Sequence, residues 1–234
     1  MSIIVSLGIV LLAGLIVASL QVPLGSLLLL YHSSLGRHVS AKTKRLVSSF
    51  ISGAAFTFFI LLAASCFLVS ISNDLGVLPT YAHVALFVAL FVLGMVAWFF
   101  YYRRRGSTEL WLPRPFAEFI NSRAEKTSSD AEAFSLGFIV VISELLFTTP
   151  LFVVSADAIL HLKPEVAGLM LGAFTLLSIL PLIVLRISLR TGKNLADVQR
   201  WRKKHTFFFR VFTGFGFVIL AGFLFAFVIL GGAL

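Results

Sequence analysis

Six apolar runs, each long enough to cross a lipid bilayer, decide most of what this chain can fold into. They lie at about 3–31, 46–72, 80–102, 133–160, 164–187 and 206–232. A helix of about 20 apolar residues spans the hydrocarbon core. Inside that core every backbone N–H and C=O must be satisfied within the protein, which leaves helices or closed barrels. Runs this long and continuous predict helices, so the expected fold is an all-α integral membrane protein with six transmembrane helices. Only 12% of the 234 residues are charged, about half the share usual in soluble domains. The first run has no basic segment before it and exceeds the apolar core of a signal peptide, so it is expected to stay as a helix.

Charge orients the helices. All but one of the nineteen Lys and Arg fall in three connections, 32–45, 103–132 and 186–210. The exception, Lys163, keeps company with Asp74, Asp157 and Glu165 on the other side. The positive-inside bias predicts that the three basic connections are cytoplasmic and both termini extracytoplasmic, in a plasma (inner) membrane. The net charge of +9 sits directly against helix ends. That position suits anionic lipid at a cytoplasmic rim and argues against nucleic acid, for which no folded soluble domain exists. Cys66, the one cysteine, has no internal disulfide partner and reads as a small buried hydrophobe.

The longest hydrophilic stretch, 103–132, divides the chain into 1–102, a linker at 103–132, and 133–234. Pro113 and Pro115 introduce Phe116, Phe119 and Ile120 at helical spacing, which predicts a short interfacial helix. Thr127-Ser-Ser-Asp130 reads as a joint and N-cap for the fourth membrane helix. Leu195, Val198 and Trp201 mark a second surface-lying segment.

The two halves carry related elements. Gly14-Leu-Ile-Val runs seven positions to Gln21, with Pro23 beyond, and Gly137-Phe-Ile-Val runs seven positions to Glu144, with Pro150 beyond. Ala55-Phe56-Thr57 in the second run matches Ala173-Phe174-Thr175 in the fifth. The third and sixth runs align only loosely. An odd repeat of three helices inserts its second copy upside down, giving an inverted-topology pair.

With Gln21-Val-Pro23-Leu-Gly25-Ser26 in one half, and Gly137, Pro150 and Ala156-Asp157-Ala158-Ile159 in the other, the chain resembles the LysE-type exporter superfamily. The stretch from Leu195 to Trp201, a basic cluster and a Phe/Gly-rich last helix look most like its glycopeptidolipid-addressing-protein branch. The resemblance implies 3+3 inverted repeats with a proline-broken first helix in each, and export as the direction of transport. The related electron conduits of the DsbD and CcdA type place a cysteine beside each proline. Here those neighbourhoods hold Gln21 to Gly25 and Thr148-Thr149-Pro150, so thiol exchange has no chemistry to run on. The Pro-Gly-Pro signature of amino-acid exporters is absent as well.

A carboxylate deep in a membrane span is a functional-site hypothesis by default. Glu144, about twelve residues into the fourth run, is one; the other reading is a protonated carboxyl that only packs helices. Gln21 is either its counterpart in a shared site or interhelical glue. Pro23 and Pro150 free the carbonyls of Ser19 and Leu146. With Ser26, Thr148 and Thr149, these could coordinate a cation or a polar solute; equally, the hydroxyls could mend the ladder. Asp157 is read as an interfacial charge or part of a vestibule. His32, His38, His83, His161 and His205, all near helix ends, are read as interfacial. No metal, cofactor or enzymatic motif is found.

Two functions from different classes are therefore expected. The first is a secondary transporter that exports a small solute, an amphipathic metabolite or a cation, with possible proton coupling through Glu144. The second is a non-transporting scaffold in envelope or lipid trafficking, where the phenylalanines of the last helix would form a partner or homodimer face.

Overall fold

In the computed structural model the described residues are 2–20, 41–72, 78–101, 114–190, 200–201 and 204–230. They are helical almost throughout, with no strand among them. In chain order the helices are α1 (Ile3–Ser19), α2 (Ala41–Ser72), α3 (Thr80–Val96), α4 (Arg114–Lys126), α5 (Asp130–Ser143), α6 (Leu145–Leu160), α7 (Pro164–Arg190) and α8 (Thr206–Leu224). α3 and α8 each end in a wider π-helical turn, Ala97–Tyr101 and Phe225–Leu230.

Four helices are long and apolar enough to cross a membrane: α2, α3, α7 and α8. α5 and α6 together make a fifth candidate, bent by 81° at their junction. The outward faces are apolar over their length, with Phe67, Leu68, Ile71, Leu169, Leu176 and Phe207 each more than half exposed. Water does not tolerate an apolar exterior of this extent. These are the helices of a membrane protein.

Local sequence explains several helix ends. Ser129 caps α5 through a reciprocal box: its hydroxyl accepts from the Glu132 N–H at 3.3 Å, and the Glu132 carboxylate accepts from the Ser129 N–H at 3.2 Å. That satisfies donors the first helical turn would otherwise leave open. The interfacial segment expected after Pro113 is a helix, α4. It buries Ile120 and Ala124 completely while Phe119 stays exposed. Leu195 and Val198, of the second expected surface segment, lie outside the described residues.

The core is made by helices distant in sequence. α2 packs most extensively on α5, α8 on α3, and α1 on α7, α6 and α8; α2 also touches α6 and α7. At the α2–α5 crossing the backbones meet directly. A Cβ placed on Gly53 would collide with the Phe134 carbonyl, and one placed on Gly137 with that of Phe50. Phe152 of α6 stacks between Phe58 of α2, at 6.4 Å, and Phe174 of α7, at 5.8 Å. α6 is thereby enclosed: from Leu151 to Ile159 only Val153 is not fully buried.

One expectation needs correcting. The fourth run is two helices, and the break falls at Glu144 rather than at Pro150, which sits within α6. Proline withholds one donor and crowds the carbonyl four residues back. Here the chain turns before that carbonyl, so Pro150 occupies an already reoriented second turn of α6.

Candidate functional site

Glu144 is the residue at the bend. Its φ of −96° and ψ of 6° lie outside the helical region, in the bridge area frequented by active-site residues. Its N–H donates to Val141 at 3.1 Å and closes α5. Its carbonyl accepts the Phe147 N–H at 2.9 Å, the Thr148 N–H at 3.0 Å and the Thr148 hydroxyl at 3.1 Å. One residue thus ends one helix and opens the next, with Thr148 fastening the corner. The side chain is buried, at 3% exposure. An ionisable group this deep in a spanning element is costly to keep and is typically found on proton or ion pathways.

Thr148 shares the Glu144 face of α6 because a step of four residues returns to the same side. Thr149, one step on, is exposed and donates to the Leu145 carbonyl at 2.6 Å. Leu146, whose carbonyl Pro150 leaves without a helical donor, is 66% exposed. The structure therefore brings together Glu144 and Thr148 and turns Thr149 and Leu146 to the outside.

Gln21, Pro23 and Ser26 lie outside the described residues. What is described is the approach to them. α1 stops at Ser19, and Leu20 caps it through an N–H bond to Val17 at 3.1 Å. The helix therefore ends just before Gln21, as α5 ends just before Glu144. The Ser19 hydroxyl lies 2.9 Å from that of Thr213 on α8, so a polar contact also tethers this end of α1.

A second buried polar centre was not legible from spacing. Asp157, expected at an interface, is 1% exposed, and His83 is 7% exposed. The His83 Nε2 lies 2.9 Å from Asp157 Oδ2, and the other carboxylate oxygen accepts the Leu78 N–H at 3.1 Å. His83 Nδ1 is 3.2 Å from the Pro79 carbonyl, and His161 Nδ1 is 2.7 Å from the Asp157 carbonyl. Three of the four polar partners, Leu78, Pro79 and His83, come from the first turn of α3 and the residues just before it, so the pair ties α6 to that corner. No local pattern links positions 74 residues apart; the only signal was a charged residue near the end of an apolar helix. Among the described residues, no three His, Cys, Asp or Glu side chains gather to hold a metal ion.

An all-helical membrane protein with a buried carboxylate at a broken span is the class that fold and site define. The chain matches no protein-family model, no curated protein and no solved structure.

Proposed function

We propose that this protein is a secondary membrane transporter, with six spans arranged as two inverted three-helix repeats and Glu144 as its proton-coupling carboxylate. The observation that carries this reading is the position of Glu144: buried, and at the 81° break of a span. Broken helices with ionisable groups near their ends are the usual architecture of transport sites.

Three further observations support the repeat. Exchanging α1 with α5–α6, α2 with α7 and α3 with α8 leaves the set of major helix pairings unchanged. Each unit of the first half then packs on its counterpart: α1 on α6, α2 on α7, α3 on α8. Gly94 of α3 and Gly214 of α8 meet at their crossing, each with a neighbour from the other within van der Waals distance. Finally, α1 ends before Gln21 as α5 ends before Glu144, so Gln21, Pro23 and Ser26 would complete the site opposite Glu144 and Thr148.

On this reading a solute or cation binds between the repeats, and Glu144 alternates between charged and neutral as the repeats rock. The basic connections face the cytoplasm and anionic lipid, and export is the direction implied by the LysE-type resemblance. The test is charge movement on a solid-supported membrane, with proteoliposomes under an imposed pH gradient and a panel of small cationic and amphipathic solutes. A solute-dependent current that the wild type shows and Glu144→Gln loses is expected. Equal currents from both would remove Glu144 from the mechanism.

A further inference from the structure

Two buried hydroxyls stand apart from the rest. Helical serines usually turn back on a carbonyl one turn earlier, and Ser65, Ser70, Ser72 and Ser178 do so here. Ser6 and Ser155 are both fully buried, and neither hydroxyl has a hydrogen-bond partner among the described residues.

Their helices place both in one seam. On α1, Gly14 backs onto Phe174 and Leu177 of α7, while Gly8 and Gly216 mark the contacts with Phe223 and Ile16 across α1 and α8. Ile4, Leu11 and Leu15 face outward. The remaining face, Ser6-Val10-Ala13-Val17, is buried along its length and is left for α6, against which α1 packs. On α6, Phe152 meets α2 and α7, Asp157 meets the α3 corner, and Leu146, Thr149 and Leu160 face outward. The remaining side holds Glu144-Thr148-Leu151-Ser155, with Phe147, Val154 and Ala158 beside it, also buried throughout. Both faces follow the same four-three-four spacing of one side of a helix.

The levels agree as well. α8 runs antiparallel to α1, with Phe223 beside Gly8 and Gly216 beside Ile16. It also runs antiparallel to α3, with Phe225 beside Phe87 and Gly214 beside Gly94. The start of α3, and with it Asp157, therefore lies at the end where α1 begins. α6 runs antiparallel to α1, bringing Ser155 to the level of Ser6 and leaving Glu144 at the other end of the seam.

We propose that the α1–α6 seam is a hydrated path along which protons pass between Glu144 and the far end of α6, with Ser6 and Ser155 holding its water. This rests on the proton-coupling role of Glu144. Two buried hydroxyls without partners are costly, and water is the smallest group able to bond each of them. Glu144 gives up a proton to the adjoining water and becomes a carboxylate; each water passes one proton on, and one is released at the end near Asp157, His83 and His161. No electron moves.

The test uses silver ion, which enters narrow aqueous paths and blocks thiols. S6C, S155C and A156C are made with Cys66→Ala and reconstituted in phosphatidylcholine nanodiscs. Exposure to silver is followed by denaturation, maleimide labelling and mass spectrometry of the unblocked fraction. Position 156 is equally buried but on another face of α6. S6C and S155C are expected to be blocked at least tenfold faster than A156C; equal rates for all three would overturn the path. Should a variant not remain monodisperse, the wild type decides. Its Glu144 carboxyl band, assigned by difference from Glu144→Gln, should shift within seconds of transfer to deuterated buffer, and a shift only on denaturation would refute the path. Blocked cysteines with unchanged Glu144→Gln currents would sink the proton role and the proposed coupling with it. Unreactive cysteines with lost currents would sink the seam alone.

Discussion

Gly137→Ala is the most exacting test of the helix packing. The added methyl would overlap the Phe50 carbonyl oxygen and lie 3.0 Å from the Ala54 nitrogen and 3.1 Å from the Phe50 carbonyl carbon. All three neighbours are backbone, so no rotamer change relieves the clash. A carbon needs about 3.3 Å or more from a carbonyl oxygen, which requires α2 and α5 to part by on the order of 1 Å. A gap of that size forfeits a quarter to a half of each contact's dispersion energy. Overpacking typically costs about 1–3 kcal/mol, and a clash that only helix displacement can relieve belongs at the upper end. Taking about 3 kcal/mol, melting should fall by roughly 6–12 °C for a chain of this size. The assay is thermal unfolding in mild detergent followed by size-exclusion chromatography. Gly53→Ala should cost a similar amount, because its methyl meets the Phe134 backbone in the same crossing. The double variant should cost well under the sum, since the first methyl has already parted the helices. Gly172→Ala, with nothing within 4 Å of the new methyl, should be neutral or slightly stabilising. A Gly137→Ala protein that melts within a degree of wild type would refute backbone contact at this crossing.

The remaining expectations concern two polar side-chain pairs that join α2 or α3 to the α5–α6 unit. Truncating either His83 or Asp157 to Ala strands a buried partner and should cost about 3 kcal/mol or more, whereas replacing both with apolar side chains of similar volume should cost less than either single change; chemical denaturation in detergent separates these outcomes. Arg45 bonds Asp130 through its Nε at 2.9 Å, but the two side chains are 75% and 37% exposed. Arg45→Ala should therefore change stability by no more than about 1 kcal/mol, and by less at high salt, as melting at two ionic strengths would reveal.

Much of the fold was legible in the sequence because it rests on local properties. Long apolar runs located α2, α3, α7 and α8. A proline start located α4, and the joint Thr127-Ser-Ser-Asp130 located the cap of α5, which Ser129 supplies. Glu144 was singled out by its charge in an apolar run, by the proline beyond it and by its match to Gln21 in the first half. The bend was assigned to Pro150 because proline is the only helix breaker visible in that stretch; which peptide absorbs the turn depends on what encloses α6. Thr149 was grouped with Thr148 because adjacent residues look alike in sequence, yet a helix turns them about 100° apart.

By itself, then, the sequence determined where apolar helices form, how charge is distributed between their ends, and that a carboxylate lies deep in one of them. Hydropathy and charge are properties of single residues summed over a window, so they need no knowledge of neighbours in space. The tertiary structure alone decided that Gly53 and Gly137 let two backbones touch, that His83 finds Asp157, and that α1 packs on α6. Those contacts join residues tens to more than a hundred positions apart, and the angle and level at which helices cross are set by the shapes of all the side chains between them.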